Sequence, residues 1–272
     1  MSRLRDLVEV WQQACSDFVS VARAVPDDAW LLPTDCPGWS VKDIVAHAAA
    51  VESELAGDEP LRVTIDKQAP HIKNPAGIYT ERGVVARRER APADVIAELE
   101  DAVRRRTALL ESEPLDDPDG GPPITPGRIG WSWQQLLRNR ALDVWVHEQD
   151  IRRAIGKPGG LDSVGARHAQ SVFAAVLPYV VGKHTDAPAG SIVVVDITGP
   201  VPDTFGVEVR QDGRGHPVDA ASVTEPTVRL SMDTESFTIL GAGRRDASTL
   251  PIRIQGDEAL ARQILDELPI TP

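Results

Sequence analysis

The chain has 272 residues, a formal net charge of −12 at pH 7 and only two cysteines, so it is long enough for two domains and too poor in cysteine for a disulfide framework. The acidic balance argues against nucleic acid as a partner, because phosphate binding needs a concentrated basic surface. No run approaches the roughly 20 apolar residues of a membrane span, and the polar first residues lack a signal peptide's apolar segment, so we expect a cytoplasmic protein without a membrane partner.

Apolar residues recur every three or four positions in the first part of the chain, which predicts four amphipathic helices. The second helix begins at Ser40, because Ser40 and Asp43 have the spacing of a capping box. The fourth ends before Gly156, a residue typical of the position after a helix. The four helices cover about 4–22, 40–55, 93–115 and 132–155. This pattern predicts a four-helix bundle in a domain that spans 1–184.

The pattern changes to alternation, with frequent turn signals, after about residue 185. Two short amphipathic segments, about 234–240 and 257–268, interrupt the alternating runs and predict helices. The predicted strands are 191–198, 205–210, 228–232 and 252–255. We therefore predict a small α+β domain that spans 185–272.

Three residues of the predicted bundle form a candidate metal site. His47 lies on the apolar face of the second helix, and Asp143 and His147 are four residues apart, on one face of the fourth. Two imidazoles and one carboxylate suit zinc or another divalent first-row metal, and three protein ligands leave a position open for catalysis. Spacing alone leaves two plainer interpretations open, a hydrogen-bonded core histidine and an intrahelical Asp143–His147 pair.

Other polar residues receive more ordinary interpretations. Glu148 cannot replace Asp143, because it points about 100° around the helix from His147. Asp150 is either a partner that supports His147 or a helix-end charge. Cys36 either approaches the metal from the loop or packs structurally before Pro37. The residues predicted to be solvent-exposed or incidental are Glu52, Glu54, 87–90, His71, His168, His184 and His216.

Two motifs are distinctive. One is the segment 36–41, Cys-Pro-Gly-Trp-Ser-Val, followed by His47, and the other is Asp143 and His147 followed by Asp150-Ile151. They resemble the signature regions of the mycothiol-dependent maleylpyruvate isomerase family. Residues from about 190, particularly 240–245 and 254–257, resemble the sterol-carrier-like domain of that family. The resemblance implies a multi-domain fold of α and α+β type, with an N-terminal DinB-like four-helix bundle followed by a sterol-carrier-like domain.

The resemblance implies an enzyme whose metal, zinc, is held by His47, Asp143 and His147, with mycothiol as the thiol cosubstrate. A thiolate would add to a small electrophile, so the enzyme would be a maleylpyruvate isomerase-like cis–trans isomerase or a thiol S-transferase. We expect a monomer. Three arginines could bind a dicarboxylate substrate through their guanidinium groups, or could form surface salt bridges instead. They are Arg82, Arg244 and Arg253. The alternative function is a non-catalytic metal- or ligand-binding or regulatory protein on the same scaffold.

One residue departs from the family's pattern. The acidic ligand of the family is commonly Glu, whereas residue 143 is Asp, whose side chain is one methylene shorter. A carboxylate oxygen must come within about 2.0–2.2 Å of zinc. Either the helix lies closer to the metal, or a water molecule mediates the contact, or the site is lost.

Overall fold

The computed structural model describes residues 3–269 of the chain. They fold into two compact units, of which the first ends at Gly160 and the second begins at Leu161. The first unit is helical, and the second contains a five-stranded mixed sheet with helices. The predicted fold class, a helical bundle followed by a small α+β part, is confirmed. In residues 3–269 each helix is too short or too polar to cross a membrane.

The first unit is built on four long helices, with a shorter fifth packed against one of them. Their bounds are Arg3–Arg23 for α1, Val41–Leu55 for α2, Pro75–Val85 for α3, Pro92–Ser112 for α4 and Trp133–Ala154 for α5. α1 packs against α4 and α5, and α2 packs against the same two helices, which closes a ring of four. α3 packs on α2. The arrangement places α2 beside α5, the two helices that carry the candidate ligands.

Local sequence signals account for where both ligand-bearing helices begin. Ser40 and Asp43 form the predicted capping box of α2, and Ser132 with Gln135 forms an equivalent box on α5. Each box satisfies backbone N–H groups that have no partner inside the helix, which stabilises a helix by roughly 1 kcal/mol. The caps therefore fix where each helix begins, and so which residues face the interior.

The second unit is a mixed sheet with four helices. The strands are β1 (Ile192–Thr198), β2 (Asp203–Val209), β3 (Gly215–Val218), β4 (Val228–Asp233) and β5 (Arg253–Gly256). They lie in the order β3-β2-β1-β4-β5, with β1 and β4 parallel and the other pairs antiparallel. The helices are α6 (Val164–Ala174), α7 (Leu177–Lys183), α8 (Thr234–Gly241) and α9 (Glu258–Glu267). The sequence did not predict β3, which contains Pro217, a residue disfavoured in strands.

The division between the units lies earlier than the predicted boundary at 184, because α6 and α7 pack within the second unit. α6 contacts α8, and α7 contacts β2 and β3. A Cβ atom on Gly182 would lie 2.1 Å from the backbone nitrogen of Gly215, so α7 approaches β3 as closely as only glycine permits. The two helices therefore belong structurally to the second unit.

Candidate metal centre

The three candidate ligands meet inside the first unit. His47 projects from α2, and Asp143 and His147 project from α5, one helical turn apart. His47 Nε2 lies 3.3 Å from Asp143 Oδ2, and His147 Nε2 lies 3.5 Å from Asp143 Oδ1. Both histidines are buried, whereas the Asp143 side chain is 33% exposed. The cluster therefore has protein on most sides and solvent on one.

An aromatic side chain from the loop before α2 covers the two imidazoles. The Trp39 ring centroid lies 5.1 Å from that of His47 and 6.1 Å from that of His147. Trp39 Nε1 donates a hydrogen bond of 2.8 Å to Glu81 Oε2 on α3. Glu81 is held in turn by Arg88 and by His71, each 3.0 Å away. The prediction that His71 is incidental is therefore wrong, because it supports the indole that packs on the histidines.

A buried ion network lies behind Asp143. Arg140 Nη1 donates to Asp143 Oδ2 at 2.7 Å, and Arg140 Nη2 donates to Glu52 Oε1 at 2.8 Å. Glu52 also accepts a bond of 2.5 Å from Arg106 and one of 3.2 Å from the indole of Trp11. Glu52 has no exposed surface. The prediction that Glu52 is a surface residue is wrong, since it is the anion that pairs two buried guanidinium groups.

The other ring nitrogen of His147 faces a second carboxylate. His147 Nδ1 lies 3.0 Å from Asp150 Oδ2, and the Cys36 thiol donates to the same oxygen at 3.3 Å. Arg153 Nη2 donates to Asp150 Oδ1 at 2.6 Å. Asp150 is fully buried and contacts His147, which favours the interpretation of Asp150 as a partner that supports this histidine. Cys36, His147 and Asp150 form a second possible donor set, but it has no exposed side comparable to that of Asp143.

The charges of the centre shift the pKa values of the three candidate ligands in different directions. Burial lowers the pKa of His47, and the nearby Asp143 only partly opposes this. Burial also acts to lower the pKa of His147, but Asp143, Asp150 and Cys36 together raise it well above the usual value. For Asp143, burial acts to raise the pKa, and the charges of Arg140, His147 and His47 hold it well below the usual value. Asp143 is therefore an anion at neutral pH.

The donor set fits a small divalent metal. All three ligand atoms lie within 4.8 Å of one another. Ligand atoms of a tetrahedral site with bonds of about 2.0–2.1 Å are about 3.3–3.4 Å apart. The imidazoles lie 3.3 and 3.5 Å from Asp143, but from two different oxygens, so only one of these distances is an edge of a site to which Asp143 supplies one ligand atom. The short side chain of Asp143 thus reaches both histidines. The exposed side of Asp143 would give a further ligand access to the metal.

A cavity of about 500 Å³ extends from His47 along α2. Two of its guanidinium groups, those of Arg87 and Arg90, are paired with Glu98, so the prediction of a solvated basic run at 87–90 is wrong for Arg87, which is buried. The hydroxyl of Tyr79 donates to Glu54, which is buried and not exposed as predicted. Arg82 and Arg128 also line the cavity, and within residues 3–269 neither side chain has a carboxylate partner.

The remaining predicted residues either have other partners in the first unit or belong to the second unit. Glu148 is buried but bonds Arg152 at 2.7 Å, on a different side of α5 from Asp143, in agreement with the prediction that it cannot replace that ligand. His184 is exposed and pairs with Glu267. Arg244 and Arg253 lie in the second unit, where Arg253 is exposed. The Glu52–Arg140–Asp143 connection joins two helices, and the sequence pattern of one helix carries no signal for it.

Comparison with known proteins gives a family and a fold. The family described as the mycothiol maleylpyruvate isomerase N-terminal domain matches residues 11–152, just over half of the chain, and the match includes all three candidate ligands. Two relatives from Mycobacterium tuberculosis, both described as uncharacterized proteins, are 25% identical over 267 residues, which is 89% of this chain and 87% of theirs.

Two solved structures extend the likeness to almost the whole chain. They are crystal structures of the mycothiol-dependent maleylpyruvate isomerase and of one of its mutants. Each is similar with a TM-score of 0.57 and 14% identity, and the match covers 92% of this chain and 93% of the other. At this identity the likeness shows the fold alone.

Proposed function

The chain belongs to the mycothiol maleylpyruvate isomerase N-terminal domain family, and from this premise we propose that it is a metal-dependent enzyme that adds the thiolate of mycothiol to a small electrophile. His47, Asp143 and His147 would hold the metal, and zinc is the metal that their chemistry suits best. The observation that carries the proposal is the approach of both imidazole Nε2 atoms to one carboxylate, at 3.3 and 3.5 Å.

The chain's own residues would place the reactants. A divalent metal at this centre would favour the thiolate form of a thiol bound beside it, and the thiolate is the nucleophilic form. Asp143 exposes one side of the centre to solvent, which gives the thiol an approach. Trp39 covers the imidazoles with apolar surface, which keeps water from that side of the ligands. Arg140 keeps Asp143 ionised and oriented towards both histidines.

The cavity beside His47 supports a small-molecule substrate. Its volume of about 500 Å³ is within the range of small-molecule sites, roughly 300–1,000 Å³. Arg82 and Arg128 line it without a carboxylate partner in the part of the chain that the structure describes. A guanidinium group matches a carboxylate with two parallel hydrogen bonds, so an electrophile that bears a carboxylate would find a partner near the centre.

The metal ligands do not distinguish isomerisation from thiol transfer, because both reactions need the same thiolate. They differ in what happens after addition. An isomerase eliminates the thiol after rotation of the former double bond, so the thiol is regenerated. An S-transferase leaves the new carbon–sulfur bond in place, so one thiol is consumed for each electrophile. The thiol balance of the reaction therefore separates the two activities.

A second candidate function is that of a non-catalytic binding or regulatory protein. The observation that favours it is the ion pair between Arg140 and Asp143, at 2.7 Å. Together with the two imidazoles, this pair satisfies the Asp143 carboxylate without a metal, as buried polar groups require. Such a protein would show neither turnover nor dependence on a thiol.

The test is a turnover assay with protein purified without a histidine tag and reconstituted with zinc. We expect mycothiol-dependent conversion of maleylpyruvate or of another small electrophile in a panel that includes alkyl halides and epoxides. The variants His47→Ala and His147→Ala should lose this activity. His184→Ala, which removes an exposed histidine of the second unit, is the matched control and should retain it. A zinc-loaded wild type without thiol-dependent turnover on the whole panel would overturn the enzymatic proposal in favour of the second candidate.

A further inference from the structure

Asp150 connects the candidate metal centre to the loop before α2. Its Oδ2 atom lies 3.0 Å from His147 Nδ1 and accepts a hydrogen bond from Cys36 Sγ at 3.3 Å. Its Oδ1 atom accepts a bond of 2.6 Å from Arg153. The Asp150 side chain has no exposed surface. Both oxygens of this carboxylate are thus engaged, and solvent does not compete for them.

The same loop is held at a second point. Arg153 Nε donates to Asp35 Oδ2 at 2.6 Å, so Asp35 and Cys36, which are neighbours in the loop, each bind α5 through a side chain. This loop also carries Trp39, whose ring packs on both imidazoles. The contacts of Asp150 and Arg153 therefore fix the loop, the indole and one imidazole relative to one another.

We propose that Asp150 is a positioning residue that sets the tautomer and orientation of His147. Nε2 of His147 then directs its lone pair towards the metal that His47 and Asp143 would also bind. The proposal rests on the proposed metal centre. An ionised carboxylate only accepts hydrogen bonds, so a neutral imidazole beside it carries its proton on Nδ1. Nε2 is then free of a proton and can bind a metal. Hydrogen bonds of this kind commonly orient metal-binding histidines.

The contacts of Asp150 also determine what its amide analogue would do. In Asp150→Asn, one of the two engaged oxygens becomes an NH₂ group. That group cannot face Arg153, because both would be donors. If it faces His147 instead, Nδ1 must accept the bond, and the proton moves to Nε2. The variant would thus favour the tautomer that cannot bind the metal through Nε2.

The experiment measures zinc affinity by competition with a chromophoric chelator, for the full-length wild type and two variants. Asp150→Asn should bind zinc about 10–100-fold more weakly than the wild type. The matched control is Glu148→Gln, which neutralises another buried carboxylate of α5, one that bonds Arg152 and does not contact His147. It should bind zinc like the wild type. Equal affinity of Asp150→Asn and the wild type would overturn the proposal.

A second measurement does not depend on the folding of any variant. Long-range ¹H–¹⁵N spectra of the zinc-loaded wild type should show His147 with its proton on Nδ1 and the metal on Nε2. Zinc on Nδ1 would overturn the role of Asp150 although the metal centre exists. Failure of the wild type to bind zinc at all would instead overturn the proposed function, so the two failures are distinguishable.

Discussion

The two units bury very different side chains. Among residues 3–269, every buried Asp, Glu, Arg and His belongs to the first unit. They are Asp43, His47, Glu52, Glu54, Glu81, Arg87, Arg106, Arg140, His147, Glu148 and Asp150. The buried polar residues of the second unit in this range are uncharged: Gln170, Ser191, Thr234, Ser236 and Thr238.

The contrast indicates what each interior is built to do. Removing a charge from water costs several kcal/mol. A protein in which apolar residues of equal volume replace a buried ion pair is often as stable as the original or more stable. Packing alone therefore does not explain the ions of the first unit. Arg140 and Asp150 contact the candidate ligands Asp143 and His147, and Glu52 holds Arg140. The first unit maintains a costly network around one centre, and the second unit relies on hydrophobic packing and hydroxyl hydrogen bonds.

The largest expected effect comes from Glu52→Ala, which would leave Arg106 and Arg140 buried without their shared anion. We expect a loss of about 3–5 kcal/mol in the free energy of unfolding. Urea unfolding followed by tryptophan fluorescence would measure it for the first unit, because all six tryptophans lie between residues 11 and 145. The control is Glu100→Ala, which breaks a solvent-accessible pair with Arg23, whose side chain is 65% exposed, and should cost less than about 1 kcal/mol. Similar losses in the two variants would contradict the contrast.

The next effect is a pH dependence due to Glu148. Burial raises the pKa of its carboxyl to about 7, although Arg152 opposes the shift. Between pH 4.5, its ordinary pKa, and pH 7, the folded state binds more protons than the unfolded state, so Glu148 lowers stability as the pH rises. The wild type should lose about 3 kcal/mol relative to Glu148→Gln between pH 4.5 and pH 8. Unfolding curves of both proteins at several pH values would measure this, and a constant difference would refute it.

The sequence predicted the helices of the first unit where local signals are strong. Ser40 and Asp43 marked the start of α2, and the apolar periodicity placed His47 inside. Prediction from the sequence failed for residues whose burial depends on a partner far away in the chain. Glu52 and Arg87 look like surface residues, because their counter-ions lie on other helices: Arg140 and Arg106 for Glu52, and Glu98 for Arg87. Ion pairs between helices leave no periodic pattern in the sequence of either helix.

The short helix α3 was also not predicted from the sequence. α3 has 11 residues, of which only Glu81 and Val84 are buried, so it lacks a clear apolar stripe. Yet α3 supplies Glu81, the partner of Trp39. The sequence thus predicted the three candidate ligands but not the residues that hold Trp39 and Asp143 in place. Those supports come from side-chain contacts between elements.

A smaller effect is expected in the second unit. Thr238→Val removes a buried hydroxyl that donates to the Thr234 carbonyl at 3.0 Å. Because α8 keeps its backbone hydrogen bonds, we expect a loss of about 1 kcal/mol. Hydrogen exchange of the sheet amides would report on this unit, which contains no tryptophan. A loss as large as that of Glu52→Ala would show that the second unit also depends on a buried polar network.

The smallest effect is expected at the surface of the second unit. His184 and Glu267 form a pair at 2.9 Å with side chains 40% and 47% exposed. Glu267→Gln should change the unfolding free energy by less than about 1 kcal/mol, and added salt should reduce even that difference. Thermal unfolding at low and high salt measures it. A loss that salt does not reduce would mean that solvent does not screen this pair.

We propose that His47, Asp143 and His147 bind a metal. The most direct test is the metal content of untagged protein after zinc reconstitution and dialysis, for the wild type and for Asp143→Ala, with Glu100→Ala as the control. We predict about one zinc per chain in the wild type and the control, and little in Asp143→Ala. A wild type without zinc, or an Asp143→Ala variant that retains it, would contradict the claim.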